Sequence, residues 1–268
     1  MDHGMKRVLT IAASDSSSGA GIQADLKVFA ELGVYGLCAV TAVTAQNSSG
    51  VQKINKVPPR IIAGQIDAVA RDIGIDACKI GMLYTHQVVS LVAERLHRRR
   101  VRNVVLDPVI FAKNGARLLL ARGAERMKRQ LIPRCTLVAP NLAEAAVLAG
   151  REVADLAAAR DAARAIHDFG ARYVLIKGGH LEGEPIDLLF DGERFIEYPG
   201  KRVRGRTMHG TGCILTAAIT ARIALGDTAP DAVRFAKDYV AAAMKNSIKL
   251  GKGGLWYFAG TPAGGDQG

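Results

Sequence analysis

The chain has 268 residues, of which 49% are apolar and only 5% aromatic, and its formal net charge is +11. That length and apolar share exclude a disordered segment and suit one large α/β domain. The shortage of aromatic rings argues against a surface for stacking single-stranded bases, while the basic excess suits anionic partners.

Apolar runs of strand length alternate with longer amphipathic runs. In chain order the pattern predicts a strand at Arg7–Ala13, a helix at Ile22–Leu32, a strand at Leu37–Thr44 and a helix at Pro59–Asp72. A strand at Ala77–Ile80, a helix at His86–Arg98 and strands at Asn103–Leu106 and Thr136–Ala139 follow. Then come helices at Leu142–Leu148 and Asp155–Phe169, strands at Tyr173–Ile176 and Ile186–Asp191, and helices at Gly212–Leu225 and Pro230–Lys249. Such alternation predicts a largely parallel sheet with helices on both faces, binding its ligands at the carboxyl ends of the strands. The loops "ASDSSSGAG", "TAQN", "KIGM", "DPVI", "APN" and "KGGH" all fall at those ends.

No internal repeat or low-complexity linker interrupts the chain, so a single domain over 1–268 is expected, with 1–5 and 260–268 as loose tails. Cys38, Cys78, Cys135 and Cys213 form no CxxC pair, so no zinc knuckle or thioredoxin-like site is signalled. The N-terminal apolar stretch is too short for a secretory signal, and no window reaches membrane-spanning length. A cytoplasmic protein with reduced thiols and no membrane or nucleic-acid partner is expected. The basic run "RLHRRRVR", Arg95 to Arg102, lacks aromatic interleaving and reads as a solvated helix end.

"GAGIQA", Gly19 to Ala24, matches a dinucleotide fingerprint, but the loop before it is too long and no acid follows between Glu31 and Asp67. A P-loop is absent. The alternative phosphate device is "HGTGC". Gly210, Thr211, Gly212 and Cys213 open a helix whose amides and dipole suit an anion hole for a transferring phosphoryl group. The plainer reading is a tight entry turn. Asp107 in "DPV" suits Mg²⁺ or a turn start. Asn141 and Glu144 in "PNLAE" make a capping box or bring a second carboxylate to the metal. Lys177 in "KGGH" suits ATP phosphates or the surface at a strand end. Together these are the parts of phosphoryl transfer. His180 and His209 flank the chemistry and read as scaffold residues.

Seven stretches occur in one order: "TIAASDSSSGAGIQADLKVFAELGVYG", "AVTAVTAQNSSGV", "KIGML", "DPVIFAKNG", "APNLAEAAVLAG", "VLIKGGH" and "HGTGCILTAAI". From Val8 to about Gly254 the chain resembles the bacterial hydroxymethylpyrimidine and phosphomethylpyrimidine kinases of the ribokinase-like superfamily. The resemblance implies a three-layer α/β sandwich, commonly a homodimer, that uses ATP and Mg²⁺ to phosphorylate a hydroxymethylpyrimidine and then its monophosphate. It implies Asp25 and Gln46 as the pair gripping the pyrimidine, with Ala13, Met82 and Val109 beside the ring. It further implies Asp107 and Glu144 as metal carboxylates, and Lys177, Asn141 and Lys237 at the nucleotide.

Four departures stand out. Ala13 replaces a usual glycine, Ser16 a proline, Ser18 a glycine, and Thr207–Met208 an Asn–Thr pair. Where many sugar kinases of the superfamily carry an aspartate base, this chain has Cys213, expected to have a lowered pKa at its helix N-terminus and to act as the base. A pyridoxal kinase, a catalytically idle pyrimidine-binding protein and a nucleic-acid binder are the competing readings.

Overall fold

The computed structural model describes residues 4–112, 115–179, 185–200 and 207–260. His180, most of the expected tails, and Lys113 and Asn114 of "FAKNG" lie outside these residues.

Nine strands form one sheet among the described residues. They are β1 (Arg7–Asp15), β2 (Tyr35–Asn47), β3 (Gly50–Lys56), β4 (Ala77–Ile80), β5 (Asn103–Leu106), β6 (Leu137–Val138), β7 (Tyr173–Ile176), β8 (Ile186–Phe190) and β9 (Phe195–Pro199), in the order β3-β2-β1-β4-β5-β6-β7-β8-β9. Pairing from β2 through β7 is parallel, whereas β3 at one edge and β8–β9 at the other are antiparallel. The period of two shows in the core: Leu9 and Ile11 face one layer and Val8 the other, and Val105 is turned opposite to Val104 and Leu106.

One helical layer holds α2 (Pro59–Asp72), α3 (His86–Arg98), α4 (Ala121–Arg126), α5 (Leu142–Ala149) and α6 (Leu156–His167). The opposite layer holds α1 (Gly21–Glu31), α7 (Thr211–Leu225) and α8 (Ala229–Lys245). This is the expected three-layer ribokinase-like sandwich. α7 is buried nearly all round, from Ile214 to Ala224. Its small alanines let neighbours approach closely, and its two buried threonines return their hydroxyls to backbone carbonyls, Thr216 to Gly212 and Thr220 to Thr216.

Several predictions change. β3, β9 and α4 were not expected; β3 and β9 lie at the sheet margins, where β3 is mostly polar and β9 carries Glu197 and Pro199 among its apolar residues. The last helix stops at Lys245 instead of Lys249, because Ile248–Lys249 pairs as β10 with Trp256–Tyr257, β11. The basic run ends α3, where Arg95 and Arg99 reach Asp67 of α2 and Arg98 reaches Glu94, as the helix-end reading expects.

β1 lies between β2 and β4, so successive connections leave it in opposite directions. Such a reversal opens a crevice at the carboxyl ends of the strands. Asp15, Gln46, Gly81, Asp107, Asn141 and Lys177 all lie at those ends.

Candidate active site

The floor of the crevice is the start of α7. Gly210 caps it with a left-handed backbone, φ 75°, and a Cβ there would strike the Gly19 carbonyl, so only glycine lets the two loops meet. The first amides of a helix have no intrahelical acceptor, and they leave a cradle for an anion. A Cβ on Gly212 would stand 3.4 Å from Lys177 Nζ and 3.5 Å from Asp107 Oδ2, so the cradle faces that pair closely.

Lys177 Nζ donates to Asp107 Oδ1 at 2.6 Å. Burial disfavours its charge, but Asp107 and Glu144 outweigh that and hold its pKa above the usual lysine range. Glu144 does form the capping box with Asn141: each side chain accepts the other's backbone N–H at 2.9 Å. Its second oxygen accepts Ile110 N–H at 3.3 Å. Burial, opposed by Lys177 and reinforced by Asp107, pushes Glu144 up to about 7. The capping and the site readings are thus compatible. Asn141 also pairs across the sheet with Lys177 as an isolated bridge. Lys237 sits further out. Its Nζ bonds Asp187 Oδ2 at 2.9 Å and the Tyr198 carbonyl, and Asp187 Oδ1 takes the Gly178 N–H. Lys237 therefore reaches the lysine loop only through Asp187.

The expected lowered pKa of Cys213 is not found. Burial pushes the thiol up to about 11; Lys79 pulls it down, but Asp25 and Asp107 add to the rise. For this half-buried thiol, the helix end and the Gly21 amide are outweighed by burial and by two carboxylates.

At the substrate end, Ala13 and Met82 are buried in one small apolar cluster with Ala42 and Leu118, and Val109 packs against it. Three predicted ring contacts are thus brought together. Gln46, at the end of β2, lies near His209 instead of Asp25. No hydrogen bond joins Gln46 to Asp25, so the two meet different protein partners on the two sides of the crevice floor. Asp25 is fully buried, accepts Thr10 Oγ1 at 2.6 Å and forms a 2.9 Å ion pair with fully buried Lys79. Burial leaves Asp25 above the usual carboxylate range, while the pair keeps Lys79 charged against its own burial.

Three residues carried no assigned role in the sequence reading. Lys79 stands alone among apolar residues of a central strand, which is the signal for a buried partner. Asp15 organises the first loop, accepting the amides of Ser17, Gly19 and Ala20 and the Ser17 hydroxyl. Its spacing in "DSSSGA" is that of an Asx turn. Ser16 donates to the Gln46 carbonyl at 2.6 Å and accepts the Gln46 amide at 2.8 Å.

A family model described as phosphomethylpyrimidine kinase matches residues 15–256. The hydroxymethylpyrimidine/phosphomethylpyrimidine kinase of Rhizobium meliloti is 44% identical over 93% of this chain and 96% of that protein. The thiamine biosynthesis bifunctional protein ThiED of Geobacter sulfurreducens is 45% identical over 92% of this chain, which spans half of its length. An ADP complex of pyridoxal kinase from Bacillus subtilis superposes with a TM-score of 0.89 at 37% identity, covering 95% of this chain and 97% of that one.

Proposed function

Because this chain belongs to the phosphomethylpyrimidine kinase family, we propose that it transfers the γ-phosphoryl group of ATP to 4-amino-5-hydroxymethyl-2-methylpyrimidine and then to the resulting monophosphate. These two steps lead toward thiamine diphosphate. The observation that carries the reading is the glycine cradle of α7 set against Lys177 and Asp107, at the same strand ends as the apolar wall of Ala13, Met82 and Val109.

The pyrimidine lies on that wall with Gln46 at its polar edge. Its hydroxymethyl oxygen forms the new bond to phosphorus, the bridging P–O bond breaks, and ADP leaves with the electron pair. Lys177 and the amides of Thr211, Gly212 and Cys213 balance the charge on the transferring group. In the alcohol step Cys213, as thiolate, takes the hydroxyl proton; the monophosphate dianion of the second step has none to give. The donor set fits Mg²⁺. Asp107 Oδ1 is taken by Lys177, so Oδ2 would be the oxygen left to hold a cation, and Glu144, engaged by two amides, would support it. Bound there, the ion would offset phosphate charge.

A homodimer and a cytoplasmic location complete the proposal; no helix of the described residues is long and apolar enough to cross a membrane. Likeness to a pyridoxal kinase, together with the extra methyl of Ala13, favours pyridoxal as the second candidate substrate. Phosphorus NMR with Mg-ATP tests both. The expected course is a monophosphate signal that yields to a diphosphate with the pyrimidine. Turnover of pyridoxal alone would replace the reading, and turnover of neither would leave a binding protein.

A further inference from the structure

His209 Nε2 lies 3.0 Å from Asp15 Oδ2 and 2.8 Å from the Gln46 side-chain amide. The two contacts make opposite demands on a single ring nitrogen. Asp15 is nearly buried, and although burial works to raise its pKa, hydrogen bonds from His209 and Ser17 bring it below the usual range, so it is a carboxylate that only accepts. Nε2 must then carry the hydrogen, and it has no lone pair for an amide N–H. The Gln46 atom facing His209 is therefore its carbonyl oxygen, which shares the one Nε2 hydrogen with Asp15 in a bifurcated contact, since the ends of an amide are assigned by their partners.

The other end of Gln46 agrees. It lies 3.4 Å from Thr44 Oγ1, whose one hydroxyl hydrogen is already given to the Ser14 carbonyl at 2.9 Å. Thr44 has lone pairs to spare, so it accepts from the Gln46 NH₂ group. The second N–H of that group finds no partner among the described residues. The surroundings hold each participant still. Ser16 fixes the Gln46 backbone through both its amide and its carbonyl. The ring of His209 stands edge-to-face with Tyr257, and its backbone N–H donates to the Trp256 carbonyl at 2.8 Å. Gly19 leaves room for it, as a Cβ there would run into the imidazole and stand 2.7 Å from the Tyr257 ring.

We propose that His209, kept as the Nε2–H tautomer by Asp15, is a positioning residue that turns the Gln46 carbonyl inward and leaves one Gln46 N–H to meet a hydrogen-bond acceptor on the substrate ring. The recognised atom is accordingly a ring nitrogen, not the exocyclic amine. This rests on Gln46 meeting the substrate, as in the reading above.

Two measurements test it. Nitrogen-15 NMR of the imidazole in the intact protein reads the tautomer without substrate; an Nε2–H signal is expected, and an Nδ1–H tautomer would overturn the assignment. Kinetics read the consequence. His209→Leu should raise KM for the pyrimidine about tenfold, the scale of one misdirected hydrogen bond, with KM for ATP unchanged. His209→Gln keeps an N–H where Nε2 stood, and should restore most of the loss. Equal KM values for wild type and His209→Leu, or equal damage from Leu and Gln, would overturn the positioning role. If Gln46→Leu leaves KM for the pyrimidine unchanged while the tautomer is Nε2–H, the substrate reading of Gln46 has failed and the hydrogen-bond assignment has not.

Discussion

The Lys79–Asp25 and Lys177–Asp107 pairs join the same two side-chain types at 2.9 and 2.6 Å. They differ in what surrounds them. The first is 0% exposed at both ends, ties β4 to α1 and includes the Thr10 hydroxyl. The second, with 14% of the lysine and 4% of the aspartate exposed, stands after β5 and β7 against the glycine floor of α7. The inner pair joins elements beneath the crevice; the outer one keeps an unused carboxylate oxygen and a cation at its surface. A short ion pair is thus poor evidence of function until its access is known.

The largest effect expected from breaking the comparison is on the inner pair. Lys79→Met strands a buried carboxylate, and should cost about 3–5 kcal/mol of stability in urea unfolding. Replacing the whole unit, Thr10→Val with Asp25→Leu and Lys79→Met, removes donors and acceptor together and should recover most of that loss. If Lys79→Met unfolds like wild type but loses catalysis, the inner pair belongs to the working site after all.

The outer pair should fail in the opposite way. Lys177→Met removes a cation from the transferring group, and should lower kcat/KM by about 10²–10³, the usual size for one stabilising donor. Its unfolding midpoint should fall less than that of Lys79→Met, because this pair stands at the crevice with its lysine 14% exposed, whereas both ends of the inner pair are 0% exposed. A stability loss matching that of Lys79→Met, with little change in kcat/KM, would erase the distinction between the pairs.

How much of this was legible depends on what each signal reports. The central strands and the capping box of α5 were readable because burial and capping write local patterns; the structure adds caps of the same kind at Thr85, Asp155 and Thr228, each accepting an amide three residues on. β3 and β9 were not, since their partners rather than their own composition make them strands. The placement of the residues proposed for the phosphate side was legible because Gly210, Asp107, Glu144 and Lys177 each sit at an element end that the sequence marks. The ion pair of Asp25 was not legible, because a helix pattern does not tell which buried side chain lies across from it. Lys79, 54 residues away, is what turns it inward. Cys213 failed similarly: the helix N-terminus is visible in sequence, while the two carboxylates that oppose it arrive from α1 and the end of β5.

The smallest expected effect concerns Cys213, and it separates the two phosphorylations. A thiol raised to about 11 is protonated near neutral pH, and its thiolate fraction grows about tenfold per pH unit below that value. If thiolate accepts the alcohol proton, kcat of the first step should climb through pH 7–10 while that of the second stays flat, and site-resolved alkylation of Cys213 should climb with the first. Cys213→Asp should then keep alcohol phosphorylation, because a fixed carboxylate also accepts a proton. The second step should fall more than tenfold, because that carboxylate faces an anionic acceptor. A first step that is flat with pH would remove Cys213 as base, and equal loss of both steps in Cys213→Asp would show that charge at this position does not distinguish an alcohol from a phosphate. Either way the outer lysine pair would remain the site's charge-balancing element, since its role depends on the transferring phosphoryl group common to both steps.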